Sequence, residues 1–247
     1  MKEKCIVGLS LCLLLSGCTT STTVSSTTSA SQTKVSTSQT TIDVSASTTD
    51  EVETLAVDDV SNTIQSLNDK RDEISNVITD FDSYTQNVDK IEAYYEDTIK
   101  ETEELGIRLR EYAYKYAQII IDSDSEYKDK YKDLKGLYEY VYDDAAKSMY
   151  DIYDKTIQEM YSTYYDGIIQ DAYDSIEYSD WYDAKSDAYD DWLDTKSDVY
   201  DIWSDVRSDI YDFYSDIRTE VYDKDEKRIN KKMEKFKKDI IRMKEKS

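Results

Sequence analysis

An all-α fold, an elongated helical bundle or coiled coil behind a disordered stalk, follows from three features of the 247-residue sequence. There is no Pro and there are only 5 Gly, so the strongest helix breaker is missing and turn signals are too few for regularly spaced strands. Apolar residues recur as stripes: a heptad stripe over about 60–120 and eleven-residue repeats over about 181–223. The net charge is −23 with 34% charged residues, yet 24 Tyr and 3 Trp at helical spacing oppose the reading of a disordered chain.

The N-terminal segment, residues 1–17, places Lys2 and Lys4 before an apolar core from Ile6 to Leu15. That run is too short to span a bilayer and has the layout of a signal peptide. It closes on Leu15-Ser16-Gly17-Cys18, which resembles the lipobox of bacterial lipoproteins. The resemblance implies cleavage before Cys18 and a diacylglyceryl group on its sulfur. It therefore implies a membrane partner and a lipid-anchored location at the cell membrane, facing away from the cytoplasm. Cys5 and Cys12 fall in the removed segment, so no disulfide or cysteine zinc site is expected in the mature chain.

Residues 18–49 form the expected stalk. Ser or Thr occupies 21 of the 31 positions from 19 to 49, and a coil of that length reaches on the order of 30 Å. A first long helix is expected over 50–121. Thr48 and Glu51 have capping-box spacing, and Asp50 places negative charge in the first turn. From Val60 the 4-3 stripe passes through Leu67, Ile74, Phe81, Tyr95, Leu109 and Tyr116, interrupted at Arg71 and Glu92. The segment Ile121-Asp122-Ser123-Asp124-Ser125 suits a cap or tight turn. Asp122, Asp124 and Glu126 begin a calcium-loop pattern, but Tyr127 and Asp133 stand where it needs Gly and Glu, so a turn is the better reading.

The acidic, Tyr-rich region 125–223 is expected to be helical, with Gly136, Gly167 and residues 174–180 as weak points. Lys185, Lys196, Arg207 and Arg218 are eleven residues apart, as are Tyr189, Tyr200, Tyr211 and Tyr222. Eleven residues make three turns at about 3.67 each, so this stripe tracks a nearly straight helix. The main reading is an aromatic seam on a partner helix with the Asp residues facing water. An alternative is a partner surface of Tyr189, Trp192, Tyr200, Trp203, Tyr211, Tyr214 and Tyr222, gripping glycan rings or a cationic polymer. Binding to a lipid surface is disfavoured, because an Asp-rich face is repelled by anionic headgroups.

The tail, residues 224–247, carries 11 Lys/Arg against 5 Asp/Glu, with Ile229, Met233, Phe236, Ile240 and Met243 on one face. Docking against acidic helices of the same or a neighbouring chain is expected. The alternative is contact with an anionic surface through Lys231, Lys232, Lys235, Lys237 and Lys238.

The acidic body argues against nucleic-acid binding, and the absence of His removes the commonest general base and metal ligand. Carboxylates are plentiful, but they repeat along one face and no pair stands out for hydrolysis. No catalysis, cofactor or metal is expected. The expected role is structural or adhesive: a lipid-anchored helical protein that meets an extracellular protein or homo-oligomerises by helix packing. Alternatives are a binding module for glycan or wall polymer, and a lipoprotein that excludes a toxin or phage.

Overall fold

The computed structural model describes residue 42 and residues 44–247, so Cys18, the signal segment and most of the expected stalk lie outside the described residues. Most of those described are helical, with no strand among them. The helices are α1 (Thr49–Ser75), α2 (Phe81–Thr85), α3 (Val88–Asp122), α4 (Tyr127–Asp133), α5 (Ile157–Tyr161), α6 (Tyr178–Asp223) and α7 (Glu226–Lys244). Three π-helical stretches, π1 (Leu137–Ala146), π2 (Ile152–Thr156) and π3 (Ser162–Ile169), join α4 and α5 into one continuous arm, the π arm.

Helix α1 starts where its sequence directs. Glu51 N–H donates to Thr48 Oγ1 at 3.2 Å, and Glu51 Oε2 accepts from Thr48 N–H at 3.1 Å, which closes the capping box. The expected stalk ends earlier than residue 49: Ala46 is buried, and Ile42 and Val44 pack on the core. Their apolar side chains leave water against the bundle, which a purely Ser/Thr run has no means of doing.

The expected single helix over 50–121 is two long helices, α1 and α3, with the short α2 between them. The chain leaves α1 at Asn76 and re-enters helix at Asp80, whose carboxylate accepts from Ser83 N–H at 2.8 Å while Ser83 Oγ accepts from Asp80 N–H at 3.1 Å. Periodicity alone conceals this turn. Ile78 is fully buried and Phe81 packs on the core, so the apolar rhythm continues through the loop. Helix α3 then returns antiparallel to α1, with Lys70 bonded to Asp97 (2.9 Å) and Glu101 (2.6 Å), and Arg108 to Asp59 (3.0 Å).

The break expected at 121–125 is present, since α3 ends at Asp122 and Ser123 Oγ donates to Ile120 O at 2.8 Å. The π arm runs parallel to α1: Tyr164 OH lies 3.3 Å from Ser75 Oγ, and Arg71 pairs with Glu159. Arg71, an interruption of the heptad stripe, thus reaches across to the next helix. In this arm the buried apolar side chains step by five from Ile152 to Ile157 and from Tyr164 to Ile169, more than one α-helical turn. A turn closed by i→i+5 hydrogen bonds takes in the additional residue and keeps the apolar face inward.

Helix α6 completes a second antiparallel hairpin with the π arm and lies parallel to α3, where Arg110 Nε donates to Asp209 at 2.9 Å. Gly106 sets the spacing of α3 and α6, because a Cβ there would stand 2.6 Å from Val206 Cγ2. The two hairpins form a four-helix bundle around a core including Leu67, Leu105, Leu109, Leu134, Met149 and Ile210, all fully buried. Each such side chain contributes about 1.5–3 kcal/mol by leaving water. Two hydroxyls in that core, Thr98 and Thr102, are satisfied by the carbonyls of Tyr94 (2.7 Å) and Thr98 (2.6 Å).

A reversal separates α6 from α7. Lys224 takes the left-handed conformation (φ 58°, ψ 34°), and Asp225 N–H donates to Glu220 O at 3.1 Å, a Schellman closure with Lys in the usual Gly position. Helix α7 then folds back into the groove between α3 and α6.

Candidate interaction surface

The eleven-residue repeat of α6 faces a second row of rings on the π arm. Tyr222 lies 5.6 Å from Tyr131, Tyr211 5.6 Å from Tyr142, Tyr200 5.3 Å from Tyr153, and Trp192 4.3 Å from Tyr161, centroid to centroid. As α6 numbers fall, π-arm numbers rise in matching steps, so the two rows run antiparallel in one register. Tyr131, Tyr142 and Tyr153 are themselves eleven apart. That period is visible in the sequence as a second copy of the α6 signal.

Each repeat also inserts a cation between two rings, one from each helix. Lys196 Nζ is 4.7 Å from Trp192 and 4.8 Å from Tyr153, and the Arg207 guanidinium is 4.9 Å from both Trp203 and Tyr142. Arg218 lies between Tyr131 (4.2 Å) and Tyr214 (5.6 Å), and Lys185 between Trp181 (4.7 Å) and Tyr165 (4.9 Å). The negative ring faces attract the cations, which explains why the sequence alternates aromatic and basic residues at this period.

The indole N–H groups fasten the ladder to the π arm's backbone. Trp203 Nε1 donates to Ala146 O at 3.1 Å and Trp181 Nε1 to Ile169 O at 3.0 Å. Both carbonyls belong to the last residue of a π stretch, where the hydrogen-bond pattern changes. At the intermediate repeat Trp192 Nε1 and Thr156 Oγ1 are buried with no protein partner.

These contacts revise the expected partner surface. Tyr214 is buried, Trp192 and Trp203 are half-buried, and Tyr189, Tyr200 and Tyr211 have one edge against the π arm and the other in water. Tyr222, at 71% exposure, is the most open of the seven. The flanking Tyr row is therefore covered on one side by a helix of the same chain.

The tail divides in the same way. Lys232 pairs with Asp216 at 2.7 Å, Lys244 with buried Glu111 at 2.6 Å, and Lys237 lies over the Tyr114 ring. Phe236 stacks on Phe213 at 3.9 Å, and Ile229, Met233 and Ile240 are buried. Of the five lysines expected on an anionic surface, Lys232 and Lys237 turn toward the bundle, while Lys231, Lys235 and Lys238 face water.

Among the described residues no group of three His, Cys, Asp or Glu converges to hold a metal. The perturbed carboxyl in this region is Asp191, raised by burial and by Glu92, Asp187, Asp190 and Asp194 around it. No helix among the described residues is long and apolar enough to cross a membrane. Comparison with protein-family models, with curated proteins and with solved structures finds no match to the chain.

Proposed function

We propose that the chain is a lipid-anchored helical spacer that carries an interaction surface away from the membrane, with no chemistry of its own. The observation that carries this reading is the order of parts along the chain: Leu15-Ser16-Gly17-Cys18 after an apolar core, a Ser/Thr run, then the helical bundle. In the bundle α1 begins beside Ser123 and Gly136, and the π arm then runs from residue 136 to 171 before turning back. At 1.5 Å per residue that separates the two ends by about 50 Å. Acyl-Cys18 supplies the membrane contact, and the bundle supplies reach.

Cys18→Ala tests the anchor. The variant is expected to leave the membrane fraction and to lose globomycin-sensitive processing; unchanged fractionation and processing would exclude the lipoprotein reading. A second reading, a module for glycan or wall polymer, is favoured by the half-open edges of Tyr189, Tyr200 and Tyr211. Pull-down with purified wall polymer separates the two, since a spacer leaves the polymer unbound.

A further inference from the structure

The two hairpins differ in length at the end far from α1's start. Val88 and Ile91 share one pocket wall with Ala188 and Asp191, so the start of α3 lies level with about residue 188 of α6. The first turns of α6, Tyr178 to Asp187, therefore extend past α3 by about 15 Å. Four aromatic residues collect on this protruding tip. Trp181 is buried and tied to Ile169 O, with Tyr173 4.8 Å and Tyr178 5.7 Å from it, and Tyr182 stacked 6.1 Å from Tyr178. Tyr178 is 62% exposed, Tyr182 55% and Tyr173 47%, the most open aromatic cluster among the described residues.

The ladder's own logic indicates what these rings accept. Along α6 every repeat places a Lys or Arg on the rings, ending with Lys185. One step further in the eleven-residue register is Asp174, so the cation is replaced by an acid at the tip. Among the described residues no cation stacks on Tyr173, Tyr178 or Tyr182, and Asp174, Glu177, Asp180 and Asp183 are exposed beside them without an ion pair. Ring faces and unpaired carboxylates in one place attract the same ligand, since a guanidinium or ammonium engages both.

We propose that this tip docks a Lys/Arg-rich segment of a partner protein, which supplies the cation that the chain's own repeat lacks there. The inference deepens the spacer reading by naming what the far end takes up, and rests on it only for the tip's orientation away from the membrane.

The test uses the full chain in detergent and a short fluorescent peptide of alternating Arg and Gly, with binding read by anisotropy at low and high salt. Tyr178→Ala/Tyr182→Ala leaves the net charge unchanged, and both side chains are more than half exposed, so folding is preserved and checked by circular dichroism. Roughly fivefold weaker binding or more is expected from losing two exposed cation–ring contacts. Tyr178→Phe/Tyr182→Phe keeps the rings and should bind as the parent does. Asp180→Asn/Asp183→Asn should weaken binding and flatten its salt dependence, while Asp198→Asn/Asp201→Asn, equal in charge but in mid-helix, should change it less than twofold. Unaltered binding by Tyr178→Ala/Tyr182→Ala, or equal loss from both Asp pairs, overturns the proposal, as does Tyr-dependent binding of a neutral oligosaccharide in place of the peptide. None of these readouts depends on Cys18, so a failed anchor and a failed tip give different results.

Discussion

The two hairpins of this bundle solve the same packing problem with different materials. The α1–α3 hairpin is held by aliphatic side chains such as Leu67, Leu105 and Leu109, with its charges bonded in pairs across the helices. The hairpin of the π arm and α6 is held along its outer edge by rings alternating with cations, with Tyr189, Tyr200 and Tyr211 partly in water. The aliphatic seam gains from removing surface from water and is sensitive to volume. The ladder gains from directional contacts of about 0.5–1 kcal/mol each, distributed over many repeats and tolerant of the loss of any one. Tyr is suited to the second role because its hydroxyl stays hydrated while its ring is covered.

Removing α7 probes the join between the hairpins and should have the largest effect. Deleting residues 224–247 uncovers Phe213 and strands Asp216 and Glu111, so a fall of more than about 5 kcal/mol is expected from three lost core side chains alone. The fall in Tm should be larger at low salt than at high salt; equal loss in both would leave only the apolar contribution.

Within the hairpins, Leu109→Ala should cost about 3 kcal/mol by urea unfolding, while Tyr200→Ala, 42% exposed, should cost about 1 kcal/mol. Equal losses would erase the distinction drawn between the two seams.

Alkaline pH addresses the loop of the first hairpin. Burial, with Asp191, Asp187 and Glu92 nearby, pushes the Tyr84 phenol up to about 12 from 10.0. An unfolded phenol ionises near 10, so between about pH 10 and 12 the unfolded chain loses a proton that the folded chain keeps, and stability falls as pH rises. The stability is fully present below that window. Burial also raises Tyr95, Tyr112 and Tyr116. Tyr84→Phe should make the alkaline decline shallower by about 2–3 kcal/mol across the window. An unchanged slope would show that the Tyr84 hydroxyl is hydrated in the folded protein.

The smallest difference lies between repeats of the ladder. Trp203→Phe leaves Ala146 O without its donor and should cost about 1 kcal/mol more than Trp192→Phe, whose indole N–H has no partner to lose. Identical costs would mean that the indole bonds contribute nothing to the ladder's stability.

Much of this architecture is legible in the residues. The Thr48 capping box, the break after Asp122, the eleven-residue seam of α6 and the amphipathic tail each rest on local chemistry and appear where that chemistry places them. The turn at 76–87 was not legible, because Ile78 and Phe81 keep the heptad rhythm and neither Gly nor Pro marks it. The seven-residue partner surface was half legible: its residues were identifiable, but a period along one helix contains no information about what covers it.

What the sequence determined by itself is the helical state, the stripes and their periods, because these depend on neighbours three or four residues away. What the tertiary structure decided is which stripe meets which. The π arm meets α6 in one antiparallel register because its rings, its widened turns and the α6 cations all match there, and α7 turns inward because Phe213, Asp216 and Glu111 await it. Such pairings depend on residues separated by tens of positions, and only a closed chain brings them within contact distance.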